Sequence, residues 1–206
     1  MFAALLDTLA IPSVDLVASD SGGAIAQLFV ARYPERVRTL LLTNCDVHED
    51  SPPPALLPLI AASRAGMFVD QVLVPQLRDK ANARTATGLG GCCYTDPAHL
   101  TDEAVDCYLT PLASSPLRKA QFHGYCVALA RNPLLAIEPA LKRSQVPLRV
   151  VWGTGDTIFH PSGPDWLDRT FPRSRGVRRV PGANLFFPEE MPDIIAEEAR
   201  KLWLGA

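Results

Sequence analysis

Little about this chain is extreme, and what it lacks narrows the field first. Charge of neither sign is in excess: 20 Lys and Arg against 22 Asp and Glu leave a net charge of −2. Without a positive surplus there is no electrostatic reason to expect nucleic acid or an anionic membrane as a partner. The basic run Arg173, Arg175, Arg178 and Arg179 is short and reads as the solvated flank of a strand. The five cysteines (Cys45, Cys92, Cys93, Cys107, Cys126) are odd in number and show no metal-ligand or redox spacing. They read as reduced thiols, so no metal and no cofactor is expected. No apolar run reaches the length of a membrane span, and the N-terminus lacks the basic-then-apolar layout of a signal peptide. Nothing repeats internally. These absences lead to the expectation of a cytoplasmic protein, monomer or homodimer, that acts on a small molecule.

What is present is ordinary globular material, 48% hydrophobic and 20% charged over 206 residues. That suffices for one domain with a core, or a core plus a lid. The informative stretch is Val14-Asp15-Leu16-Val17-Ala18-Ser19-Asp20-Ser21-Gly22-Gly23-Ala24-Ile25-Ala26-Gln27. Val14 to Ala18 reads as a short buried strand, followed by a tight turn and a helix that starts at the glycines. Ala18 and Gly22 flank Asp20 as small residues must where a sharp strand-to-helix corner lifts one side chain above the sheet edge. The Ser21 amide then points from the helix N-terminus, where a developing oxyanion is stabilised, with Gly22 and Gly23 completing the corner. Ser19 and Ser21 border the same spot. Asp is also a favoured N-cap, and the plain alternative is that Asp20 only caps the helix.

This corner resembles the nucleophile elbow of the α/β-hydrolase fold, within it the haloalkane dehalogenase and epoxide hydrolase branch. Those relatives carry an Asp nucleophile in a Gly-His-Asp-Trp-Gly-Gly elbow; here the segment is Ala18-Ser19-Asp20-Ser21-Gly22-Gly23. The following Gln27 to Val37, with Tyr33-Pro34-Glu35-Arg36-Val37, is similar to the family's helix and its turn into the next strand. The resemblance implies an α/β fold: a partial α/β-hydrolase fold with a mostly parallel sheet of about four strands flanked by helices, and a helical cap insertion. It implies core parts at residues 1–50 and 144–206 and a cap at 51–143. In the family, about half of the sheet and the loop giving a second oxyanion amide come before this point. The chain accordingly reads as beginning in mid-fold, with the elbow strand left as an exposed apolar edge prone to pairing.

In order, Phe2, Leu5, Leu6 and Leu9 have helical period, and Ala24 to Tyr33 continues the elbow helix until Pro34. Val37 to Thr43 reads as the next buried strand. Asp46 follows at its carboxyl end, where α/β ligand sites form, and is a candidate charge-relay acid or a polar loop residue. Ala55–Ile60, Met67–Leu77, Ala104–Leu112 and Phe122–Leu129 fall at helical spacing between breaks, with Gly88 to Cys93 expected as a loop. Tyr94, Tyr108 and Tyr125 lie there; the resemblance implies that two cap tyrosines can hold an epoxide oxygen, with Tyr125 a candidate for the pocket. Val146 to Gly153 reads as the third strand and Gly176 to Val180 as the last. Gly153-Thr154-Gly155-Asp156 resembles the family's Trp-Gly-x-x-Asp segment, which makes Asp156 the acid that orients a catalytic histidine.

The histidine itself is absent. Where the family reads Pro-Gly-x-Gly-His-Phe, this chain reads Pro181-Gly182-Ala183-Asn184-Leu185-Phe186, and Leu185 takes the histidine's place with its frame intact. Leucine accepts no proton, so an ester formed on Asp20 would lack its usual general base. His160, four residues past Asp156, is one replacement; His48 and Glu189 are others. Ser21 in place of the Trp after the nucleophile argues against haloalkane chemistry. An inactive or ligand-binding relative of the fold is the second reading, favoured by Leu185.

Overall fold

The computed structural model describes residues 1–205. Helix α1 (Phe2–Thr8) leads through a short turn into β1 (Val14–Ser19), α2 (Asp20–Arg32) and β2 (Val37–Cys45). Then come α3 (Leu57–Arg64), α4 (Val74–Arg78), α5 (Leu89–Cys93), α6 (Asp102–Ala113), α7 (Pro116–Ala128) and α8 (Glu138–Leu141). The chain returns to β3 (Leu148–Gly153), α9 (Gly163–Thr170), β4 (Ser174–Val180), α10 (Phe187–Glu190) and α11 (Pro192–Leu204). All four strands are parallel and lie in sequence order, β1-β2-β3-β4. The expected α/β architecture is therefore the observed one.

Strands covered on both faces are apolar throughout, and the side-chain alternation decides which helix each residue meets. Leu40, Leu42, Leu148, Val150 and Trp152 share a core with Ala26, Phe29 and Val30 of α2 and Leu167 of α9. Leu41 and Val151, one residue out of phase, pack with Ala199 and Leu202 of α11. On that second face Glu198 is 2% exposed and receives hydrogen bonds from Arg149 (2.6 Å), Arg178 (2.8 Å) and Lys201 (3.1 Å). The arginines expected on a solvated flank are thus partly structural: Arg178 and Arg179 pair with Glu197, Glu198 and Asp165. At the other end of the sheet β1 is an edge, and Val17 there is 48% exposed.

Residues 51–143 form helices and turns with no strand among the described residues. Helix starts follow capping chemistry: the Thr101 hydroxyl accepts from Ala104 N at α6, and Ser115 accepts from Arg118 N at α7, where Pro116 sits at the first helical position. The expected loop at Gly88 to Cys93 is instead the short helix α5. Its glycines permit this, because a Cβ on Gly90 or Gly91 would collide with backbone of residues 83–86, and the Gln76 side chain accepts from Leu89 N at 3.0 Å. Residues at the end of α5 are tied to the loop after β4. Phe186 N donates to Cys93 O (2.8 Å), Asn184 Nδ2 to Tyr94 O (2.8 Å), and Glu190 accepts from the amides of Thr95 and Asp96. Val69, Leu73, Tyr94, Leu100, Val105 and Leu109 continue the same buried cluster as the sheet residues. No single helix among the described residues is long and apolar enough to cross a membrane.

Candidate active site

In a parallel sheet the carboxyl ends of the strands gather loops from distant parts of the chain. Here β1 delivers Asp20, β2 delivers Asn44 and Asp46, β3 delivers Gly153 to Asp156, and the loop after β4 delivers Leu185. Asp20 stands on the expected corner: Ser19 is still extended (φ −138°, ψ 165°), Asp20 turns to φ 54°, and α2 begins. A non-glycine residue in the left-handed region costs on the order of 1 kcal/mol or more, least for Asp and Asn. The corner packs against β2, since Asp20 bridges to Cys45 and a Cβ on Gly23 would overlap the Cys45 side chain. The crowding expected at Gly22 is absent, for a Cβ there meets nothing within 4 Å. The close approach of helix to strand falls one residue later than the motif suggested.

The Ser21 amide donates to Asp20 Oδ1 at 2.6 Å, so the carboxylate occupies the donor expected for an oxyanion. The other carboxylate oxygen is left for the cavity. Burial raises the Asp20 carboxyl above its ordinary range, the Ser21 amide pulls it back down, and the charge of Asp156 adds to the rise. Asp20, Ser21, Tyr125 and Leu185 line one cavity of about 390 Å³, walled by Leu73, Leu109, Phe122, Ile158 and other apolar side chains. The Tyr125 hydroxyl and Ser21 Oγ lie 2.5 Å apart. The same two residues also line a side chamber of about 170 Å³, together with Asp46 and Arg131. A larger hollow of about 570 Å³ lies far from this chemistry, beside Val37, Val146 and Pro147 at the amino ends of β2 and β3.

Asp156 is satisfied without a histidine. Asn44 Nδ2 donates to one oxygen at 2.7 Å and Ile158 N to the other at 2.7 Å. Asn44, fully buried, also exchanges hydrogen bonds with Gly153 N and O, locking the loop after β3 to the end of β2. Burial raises the Asp156 carboxyl, and the hydrogen bonds from Ile158, Asn44 and Phe159 offset part of the rise. Leu185, 2% exposed, is packed into the core with Cys93 and lines the cavity as a plain apolar wall. Asp46 is buried, and desolvation carries its carboxyl up to about 6 despite a hydrogen bond with Ser51.

Other expected residues are not brought together. His160 is mostly exposed, bonded to Ser162 Oγ at 2.7 Å, and lines a separate shallow pocket with His48 and Trp166. His48 is held by Glu138 at 3.0 Å and stacked on Trp166. Neither imidazole lines the cavity: His160 lies beyond the turn after Asp156, and His48, after β2, is held aside by Glu138 and Trp166. Ser19 is exposed and absent from the lining, as the strand's alternation sends it to the side opposite Asp20. Glu189 does line the cavity, and Tyr94 and Tyr108 donate to its two oxygens at 2.6 and 2.8 Å. Asn44 was missed in the sequence, where the polar Thr43-Asn44 step at the end of an apolar strand was the available signal. No group of three or more His, Cys, Asp or Glu among the described residues could hold a metal ion.

Residues 1–190 match the family model described as the alpha/beta hydrolase fold. An uncharacterized hydrolase of Saccharomyces cerevisiae is 26% identical over 165 residues, which is 77% of this chain and 56% of that protein. The chain thus spans little more than half the length of that relative. Among solved structures, a 2-hydroxy-6-oxo-6-phenylhexa-2,4-dienoate hydrolase from Rhodococcus sp. strain RHA1 is similar with a TM-score of 0.75 at 16% identity, covering 98% of this chain and 68% of that one. The epoxide hydrolase CorEH is similar with a TM-score of 0.71 at 17% identity, covering 99% of this chain and 72% of its own.

Proposed function

The chain belongs to the α/β-hydrolase fold family, and on that premise we propose that it hydrolyses a small, fairly apolar substrate of the ester, epoxide or halide class through Asp20. The observation that carries this reading is the Asp20 carboxylate on a left-handed corner, one oxygen held by the Ser21 amide, the cavity before it. The chemistry follows from that arrangement. With Oδ1 fixed, Oδ2 attacks the saturated carbon of an epoxide or halide. The carbon–oxygen or carbon–halogen bond breaks with its electron pair leaving on the oxygen or halide, and an alkyl ester remains on Asp20. Attack on the carbonyl carbon of an ester substrate would expel its alkoxide and leave a mixed anhydride instead. When water later attacks that ester, the negative charge develops on Asp20's own carboxyl oxygen, already against the Ser21 N–H. Tyr125 is within reach of the same spot and supplies a phenolic proton to a leaving oxygen.

The water step is the weak one. General-base assistance is worth about a hundredfold to ten-thousandfold, and Leu185 supplies none. The covalent ester therefore accumulates. Mass spectrometry of the protein after exposure to a reactive epoxide is the direct test: a mass gain is expected on the peptide containing Asp20, absent in Asp20→Asn. An unmodified Asp20 peptide removes the nucleophile from the account.

A second reading is a non-catalytic member that binds an apolar ligand. Leu185 in the cavity wall and an Asp156 whose two oxygens already accept from Asn44 and Ile158 N favour it. Ligand-induced rise of the melting temperature without turnover of esters, epoxides or halides is its signature.

A further inference from the structure

Four carboxylates, Asp20's own among them, gather at this corner, and none of them pairs with a cation within 4 Å, although Arg131 lines the side chamber beside Asp46. Asp20 and Glu189 line the cavity, Asp46 lines its side chamber, and Asp156 lies close enough to raise Asp20. The ion pairs of the described residues within 4 Å all involve other acids. No Lys, Arg or His contributes to the cavity lining. The field registers on a neighbour: burial first, then Cys92, Asp20, Asp156 and Glu189, push the Cys93 thiol up to about 12. Across the cavity Glu189 receives only two neutral phenols, from Tyr94 and Tyr108, and each carboxylate oxygen retains a free lone pair. Phe68, Phe122 and Tyr125 form a contiguous run of rings in the wall, with centroids 6.2 and 6.3 Å apart.

An anionic ligand in the main cavity meets the carboxylates of Asp20 and Glu189 and no cationic side chain in the lining. A compact, strongly hydrated cation would lose its water against leucines and rings without full replacement. A weakly hydrated cation gains from both the ring faces and the carboxylates. We propose that the ligand of this cavity is a small organic cation, an alkylated ammonium on an apolar body, with Glu189 as the specificity-determining anion. This deepens the reading of the Asp20 cavity as the substrate site and rests on it for the ligand's being a substrate.

The test is a pair of probes of one shape and different charge: choline and its uncharged carbon isostere, dimethylbutanol, titrated calorimetrically into the full chain. The cation is expected to bind a few-fold tighter at low ionic strength, the scale of a partly exposed cation–ring contact, since Glu189 is exposed and Tyr125 is 46% exposed. Added salt should shrink that preference, and Glu189→Gln should remove most of it. Equal or weaker binding of the cation overturns the proposal, as does a preference untouched by Glu189→Gln. If the variant fails to fold because its tyrosine contacts are disturbed, the wild-type ratio and its salt dependence decide alone. Binding is read here without turnover, so a missing Asp20 adduct would sink the hydrolase reading and leave this one standing, and the reverse outcome separates them equally well.

Discussion

Asp46 makes the stability of this protein depend on pH in the direction opposite to most carboxylates. The group is 5% exposed, and burial lifts it from 3.8 to about 6, with Ser51 as its side-chain partner. Between those values the folded state binds a proton that the unfolded state has released. Stability is then fully present below pH 4 as far as this group is concerned, and is lost as pH rises through 6. A shift of about 2 units corresponds to about 3 kcal/mol at pH 7 and above, where the ionised group sits desolvated. Asp46→Asn keeps the shape and the Ser51 acceptor while removing the charge. Urea unfolding of both proteins from pH 4 to pH 8 is the assay. Near pH 4 the two should coincide; by pH 8 the variant should be more stable by up to about 3 kcal/mol, a rise of roughly 6 to 12 °C in Tm for a chain of this size. A difference that stays flat with pH, or an Asn variant less stable at pH 8, would refute the reasoning.

Other expectations are as direct. Leu185→His should cost about 1 to 3 kcal/mol for an imidazole in an apolar wall, and should speed release of an Asp20 ester a hundredfold or more, read by single-turnover kinetics. Loss of the ester at the wild-type rate would show that position 185 does not face the reacting centre. Gly23→Ala should destabilise by about 1 to 3 kcal/mol through overlap with Cys45, whereas Gly22→Ala, in open space, should be neutral or stabilising by about 0.5 kcal/mol; thermal melts of the pair give the contrast. Glu198→Ala strands three cations around a buried site and should cost about 3 to 5 kcal/mol by chemical denaturation, where a loss under 1 kcal/mol would mark the network as superficial.

By itself the sequence determined the local architecture of this protein. The small residues around Asp20, the apolar runs at Val14, Val37 and Val146, and the helical spacing from Ala55 to Leu129 each carry their meaning within a few residues. That is the range over which backbone sterics and side-chain periodicity act. Leu185 in the histidine's frame was equally legible, because its neighbours kept the pattern. Tertiary structure decided whatever depends on which loops meet. It brought Asn44 to Asp156 across 112 residues and Glu189 to Tyr94 and Tyr108 across more than 80, and it turned His160 away to a separate pocket. It also put the tight helix–strand contact at Gly23 rather than Gly22. Spacing in sequence sets a residue's phase along its own element; the distance between side chains on different elements is set by packing the sheet, and only the packed sheet contains it.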